Sequence, residues 1–355
     1  MTRRSVTLMV AGTLIILLVA VASQLPVPYV VYSPGPVVDT LADVQVGGES
    51  DEDVPVVQIE GAETYETDGE LDLTTVGVTS ADTELDVLTV LRAWMDSDRA
   101  VVPRSSVYGE DDTAEQVREQ SAQQLSRSQE SAKVAALRHL GYDVPEQVVV
   151  AIVYEDTPAD GLLEPGDVIL SVDGTDTGEP EEVAAEITDR EAGDTVDIGI
   201  RRDGEETSVT ADTEPAEDDG RPVVGFAPDW GYDLPIDISI TIDDAIGGPS
   251  AGMIFALAIY DTLTQGSLAD GAHIAGTGEI SGDGEVGAIG GIQQKIAAAS
   301  EDGAELFLAP VGNCGDVPGA NNGDMQVVPV ETLADAIDAI ETHNEGDGSE
   351  LPVCE

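Results

Sequence analysis

The segment Met253-Ile254-Phe255-Ala256-Leu257-Ala258-Ile259-Tyr260 carries no charged side chain and follows directly on a glycine-flanked turn, Gly247-Gly248-Pro249-Ser250-Ala251-Gly252. An apolar helix of that length belongs in the interior of a fold. The turn ahead of it then delivers Ser250 to a helix N-terminus, where backbone N–H groups lack intrahelical acceptors and the dipole end is positive. Such donors can receive the oxyanion of a tetrahedral intermediate. They equally suit an N-cap serine on a tight turn, or a bound anion, so the turn alone leaves three readings.

A lysine narrows them. Of fourteen basic residues, only Lys133 and Lys295 are lysine. A helix lysine is ordinarily solvated, yet an exposed position in this chain would more commonly hold Glu, Asp or Arg. Lysine, unlike arginine, can lose its proton when desolvated and act as a base near neutral pH. Lys295 sits in Ile292-Gln293-Gln294-Lys295-Ile296-Ala297-Ala298-Ala299, which opens a helix whose apolar residues Ile292, Ile296 and Ala299 can supply that desolvation. Ahead of it run Thr277-Gly278-Glu279-Ile280, a hairpin turn at Gly282-Asp283-Gly284, and Gly290-Gly291. Ser250 with Lys295 is therefore a candidate Ser-Lys hydrolase pair. Lys133 has no comparable context.

The formal charge of −57 excludes DNA and RNA as partners, because their binding requires neutralised phosphates. With 41% hydrophobic residues the chain still has material for more than one core, so the acidity belongs to its surface and fits a high-salt environment. The histidines His139, His273 and His343 are scattered, no zinc motif is present, and neither lysine lies in a phosphate-binding Gly-x-x-x-x-Gly-Lys-Ser/Thr loop. No metal, cofactor or nucleotide is expected.

Thr2-Arg3-Arg4 precede an uncharged stretch from Val6 to Ala22, which predicts a transmembrane signal anchor over 5–24 with its N-terminus cytoplasmic and the remainder outside. A cleaved signal peptide ending near Ala20-Val21-Ala22 is the alternative. Cys314 and Cys354 lie in the part that would be exported, where they form a disulfide candidate; two unpaired thiols are the other possibility. Pro26, Pro28, Pro34 and Pro36 force an extended entry. Strands are predicted at 54–59 and 71–79, a helix at 85–95, and a partly exposed polar helix over about 113–140 that Gly141 ends.

Short strands and turns follow. The run Pro158-Ala159-Asp160-Gly161-Leu162-Leu163-Glu164-Pro165-Gly166-Asp167-Val168-Ile169-Leu170-Ser171-Val172-Asp173-Gly174 resembles the central signature of PDZ domains. The resemblance implies a sheet edge that an extended peptide joins by main-chain pairing. The glycine loop that receives a peptide carboxylate is not evident, although His139-Leu140-Gly141-Tyr142 stands where bacterial versions keep it.

Gly248-Pro249-Ser250-Ala251-Gly252, followed by Thr277-Gly278-Glu279-Ile280, a turn, Gly290-Gly291-Ile292 and Lys295, resembles the proteolytic domain of Lon proteases. The order of anchor, PDZ and this domain resembles the membrane-tethered, PDZ-containing Lon-like proteases of Gram-positive bacteria. The resemblance implies Ser250 as nucleophile, Lys295 as general base and Thr277 as a supporting hydroxyl; Gly248, Pro249 and Ala251 are the candidate oxyanion turn on the helix-terminus reading above. The resemblance also implies protein substrates and, by analogy only, a hexameric ring. One departure stands out: many Lon enzymes carry an acid three residues before the serine, where this chain has Gly247.

The expected architecture is an α+β multidomain chain: a cytoplasmic stub 1–4, the anchor 5–24, a β/α region 25–146, a small β-rich PDZ domain 147–213, an acidic linker 214–222, an α/β Lon-type proteolytic domain 223–343 and a tail 344–355. The expected function is an ATP-independent, extracytoplasmic serine endopeptidase acting on unfolded or PDZ-delivered chains. The alternative is a non-catalytic membrane-anchored PDZ receptor or scaffold.

Overall fold

A computed structural model describes residues 3–23, 25–45, 53–109, 112–202, 204–216 and 219–354. In chain order, the first third supplies α1 (Arg3–Ala22), β1 (Tyr29–Asp39), β2 (Val57–Glu60), β3 (Glu70–Val78), α2 (Val87–Trp94), β4 (Ala100–Pro103) and α3 (Ala114–His139). The middle supplies β5 (Glu146–Val153), β6 (Val168–Val172), α4 (Pro180–Thr188), β7 (Thr195–Arg202), β8 (Glu205–Asp212) and β9 (Phe226–Tyr232). The last third supplies β10 (Asp237–Ile240), α5 (Gly252–Leu263), β11 (His273–Gly276), α6 (Ile292–Asp302), β12 (Leu306–Pro310), β13 (Gln326–Val330) and α7 (Leu333–Asn344).

These elements form two compact units, residues 143–235 and the two flanking segments together. The flanking segments share one six-stranded sheet in the order β13-β12-β11-β3-β1-β4. Strands β13, β12, β11 and β3 run parallel, and β1 is antiparallel to both β3 and β4. Parallel strands covered on both faces read as continuous apolar runs, as Leu306-Phe307-Leu308-Ala309-Pro310 does. Every residue of β12 is buried.

The expected division of the chain changes here. Residues 25–142 are not a region apart: β3 lies inside the sheet between β1 and β11, with Leu71 and Leu73 facing Ile274 and Gly276. The unit that holds the expected proteolytic domain resumes at 236 rather than 223, because β9 closes the edge of the middle unit. The expected acidic linker lies within that unit, where Glu214-Pro215 pairs with Pro222-Val223.

The middle unit is a sheet in the order β8-β7-β6-β5-β9, with α4 packed on it. Its core joins Val150, Leu163, Ile169, Val172, Ile198 and Ile200.

Helix α3 starts at Thr113, whose hydroxyl accepts from the Gln116 backbone N–H while the Gln116 side chain accepts from Thr113 N–H. It ends at Gly141, which takes a left-handed φ of +84° that suits glycine. Its buried residues all lie in the second half, from Ser128 to Leu137, where it packs against α5.

Helix α1 occupies much of the expected anchor. Arg3 and Arg4 take up its first turn, and the remaining 18 residues would span about 27 Å, short of a hydrocarbon core of ~30 Å. Among the described residues no helix is long and apolar enough to cross a membrane. Cys314 and Cys354 are joined in a disulfide that closes a loop of sequence separation 40 and ties the C-terminal tail to the unit.

Leu73, 1% exposed, tests whether the early segment shares one core with the segment after 236. Leu73→Ala should cost about 2–5 kcal/mol. In urea unfolding followed by probes in each unit, the transition of the unit formed by the two flanking segments should shift and that of residues 143–235 should not.

Candidate active site

The turn after β10 is held from both sides. Gly248 has φ +91°, which favours glycine. Its N–H donates to Ser121 O at 2.9 Å, and the Ser128 hydroxyl donates to Pro249 O at 2.8 Å, so α3 grips the turn twice. Gly252 is required by this proximity: a Cβ there would stand 2.7 Å from Ser128 Oγ and 2.9 Å from Ile280 Cγ2. On the other side, Ser250 O accepts from Gly278 N–H at 2.8 Å and from Thr277 Oγ1 at 2.9 Å. Ala251, 6% exposed, is the N-cap residue of α5. Among the described residues, no hydrogen-bond acceptor faces the backbone N–H of Ser250 or Ala251.

Helix α6 brings in the lysine. It begins after Gly291, whose φ of +71° again suits glycine. Lys295 lies within its first two turns and is 2% exposed. Its Nζ lies 2.9 Å from Ser250 Oγ, 3.0 Å from Thr277 Oγ1 and 2.5 Å from Thr74 O. Burial lowers its pKa to about 7. Among the described residues it has no ion pair, so nothing opposes that shift.

The hydrogens around Nζ can be assigned. Thr277 spends its own hydroxyl proton on Ser250 O, so its oxygen must accept from Nζ; Thr74 O can only accept. A neutral amine has two N–H bonds for those two acceptors, and its lone pair is left for the Ser250 O–H. That is the arrangement a general base requires.

The structure thus brings together Ser250, Lys295 and Thr277 with the turn of Gly248, Pro249 and Ala251. Thr74, Ser121 and Ser128 were not legible in the sequence as parts of the site. Thr74 contributes a main-chain carbonyl, 221 positions from Lys295, and a carbonyl leaves no mark on residue type. A cavity of about 190 Å³ opens beside the turn, lined in part by Arg127, Ser131 and Glu279.

His273 belongs to a different cluster. Its Nε2 lies 2.6 Å from Asp72, 3.2 Å from Glu70 and 3.7 Å from Asp302, binding β11 to β3 and α6. Burial pushes the Asp72 carboxyl up to about 6 against the opposing pull of His273. Burial alone would lower the imidazole pKa, but the three carboxylates raise it above its ordinary value. These four groups have metal-ligand chemistry and lie within 4.8 Å of one another. Among the described residues the hydrogen bonds of the Ser250 hydroxyl involve Lys295 and no histidine.

Residues 239–342 match the model of the Lon protease (S16) C-terminal proteolytic domain. Those residues hold the serine turn, the Thr-Gly-Glu-Ile strand and the buried lysine. They are a Lon-type proteolytic domain, of serine-peptidase type. Similar proteins include a Lon protease of Xanthomonas oryzae, 35% identical over 94 residues that cover 26% of this chain and 11% of the relative. The archaeal Lon protease of Methanothermobacter thermautotrophicus is 34% identical over 109 residues, covering 30% and 16%. The chain therefore spans a small fraction of the curated relatives it matches.

A second model, of the PDZ domain, matches 116–213. That match begins inside α3, which the fold assigns to the proteolytic unit, and stops short of β9. Among solved structures, the PDZ domain of the SdrC-like protein of Listeria innocua is 29% identical, covering 23% of this chain and 92% of that one with a TM-score of 0.22.

With the Lys295 pKa lowered to about 7, the amine is protonated and inactive as a base below that pH. Cleavage measured as kcat/KM against pH should rise through an inflection near 7, and at pH 6 should stand about tenfold below its plateau. A flat profile between pH 6 and 8 would remove Lys295 as the base.

Proposed function

We propose that the protein is an ATP-independent, extracytoplasmic serine endopeptidase that cuts unfolded or PDZ-delivered chains with Ser250 as nucleophile and Lys295 as general base. The observation that carries this reading is the 2.9 Å approach of a buried Lys295 amine to Ser250 Oγ. Ser250 Oγ adds to the scissile carbonyl carbon while its proton passes to Nζ. The carbonyl oxygen becomes an oxyanion, for which the free N–H groups of Ser250 and Ala251 are the available donors. The C–N bond breaks as Nζ returns the proton to the departing amine, leaving an acyl ester on Ser250. Water then adds to the acyl carbon as it gives a proton to Nζ, and the C–Oγ bond breaks as Nζ returns that proton to Ser250 Oγ, which releases the new carboxyl group and restores the dyad.

The middle unit supports peptide delivery. Strand β9 is the edge of its sheet, paired with β5 on one side, and α4 packs near it. An extended peptide added along that edge would gain main-chain hydrogen bonds and a groove wall from α4. Val223-Val224-Gly225-Phe226 leads into β9, and Gly225 takes φ +96°, so this loop rather than 139–142 is our candidate for capturing a peptide carboxylate.

ATP independence is supported by the two lysines of this sequence, Lys133 in α3 and Lys295 in the site, neither of which lies in a phosphate-binding loop. The Cys314–Cys354 disulfide supports an oxidising compartment. Tethering to the membrane through the apolar α1, and self-assembly, belong to the same proposal. The scaffold reading leaves a buried, uncompensated lysine beside a serine without a purpose.

Full-length protein carrying Ser250→Ala, and separately Lys295→Arg, should each lose more than about 1,000-fold in cleavage of an unfolded protein, followed by gel and mass spectrometry, while far-UV circular dichroism stays unchanged. Retained cleavage by either variant would sink the dyad assignment.

A further inference from the structure

Serine inside a helix commonly returns its hydroxyl to the carbonyl one turn back. Ser128 of α3 instead reaches across to the Pro249 carbonyl at 2.8 Å, and it is only 6% exposed. The carbonyl it holds is the one immediately before the nucleophile. The Pro249–Ser250 peptide is planar and trans, so its C=O and N–H point in opposite directions. Holding the carbonyl toward α3 therefore aims the Ser250 N–H away from α3, and that N–H has no acceptor among the described residues.

We propose that Ser128 is a positioning residue for the reaction: by fixing the Pro249 carbonyl it orients the Ser250 amide N–H as an oxyanion donor. The role rests on the serine-peptidase reading above. It makes α3 part of the machinery, since the same helix also holds Gly248 through Ser121 O. Without the Ser128 hydroxyl the carbonyl loses its donor, and the Pro249–Ser250 peptide plane loses the tie that fixes its tilt between the held Gly248 N–H and Ser250 O. The lysine would still activate the serine, but the oxyanion would meet a misdirected dipole.

The test uses full-length protein and two readouts that an oxyanion donor moves together: kcat for a peptide substrate, and affinity for a peptide aldehyde, whose adduct with a serine carries the tetrahedral oxygen. Ser128→Ala should lower kcat about tenfold or more and weaken the aldehyde by a similar factor, with the substrate KM changed less than about twofold and the pH inflection unmoved. Ser128→Thr, which keeps a hydroxyl, should recover a substantial part of both.

Ser128→Ala with kcat and aldehyde affinity within twofold of the unmodified protein overturns the role. So does a loss of activity that merely tracks a loss of folded protein, the folded fraction binding aldehyde as tightly as before. If the unmodified protein cleaves no peptide and binds no aldehyde, it is the peptidase reading that fails.

Discussion

The site depends on one buried amine. Lys295 stands among three oxygens, the carbonyl of Thr74 and the hydroxyls of Thr277 and Ser250, with burial lowering its pKa to about 7. A carboxylate at the same place would hold the ammonium charged, and the proposed role as a base would be lost. Neutral acceptors orient the amine without fixing its proton. An arginine would not give up its charge, so the proposed base role calls for a lysine at this place in a chain whose other basic residues are nearly all arginine.

That requirement explains the discontinuous fold. Thr74 comes from β3, Thr277 follows β11, and Lys295 comes from α6, which packs against β1 and β3. The parallel pairing of β3 with β11 sets Thr74 and Thr277 side by side at the end of the sheet, with the Thr74 hydroxyl donating to Gly276 O at 3.0 Å. Upstream on the same two strands, Asp72 and His273 pair. The segment before the PDZ-like unit and the segment after it thus both supply groups to one site, and the unit between them is an insertion in sequence.

The serine, the lysine and the threonine were legible because each leaves a mark on residue type: a glycine-flanked serine before an apolar helix, a lysine where the chain otherwise avoids one, and a small-residue strand between them. The roles of β3 and α3 were not. Main-chain carbonyls and cross-helix hydroxyls act through position, and the polar first half of α3 looks like a solvated surface helix until its second half is seen packed on α5. Strand β9 escaped for another reason. Phe226-Ala227-Pro228-Asp229-Trp230-Gly231-Tyr232 lacks clean alternation, and its proline and register shift suit an edge strand, so the sheet boundary was placed too early.

Burying Lys295 also has a stability consequence with a definite sign. Its folded pKa, about 7, lies below the ordinary value of 10.5, so between those two limits the unfolded chain binds more protons than the folded one. Stability contributed by this group therefore increases as pH rises through that window, and the penalty is full below it, where the amine is charged in both states. The fold must absorb that penalty under conditions near neutrality, and the apolar helix α5 shows how. Its residues Met253 to Ile259 are all 0% exposed, so the element that presents Ser250 is also among the most completely buried in the chain. The geometry at Ser250 and the packing of the core are coupled through the same turn, so a change that loosens α5 would also disturb the serine.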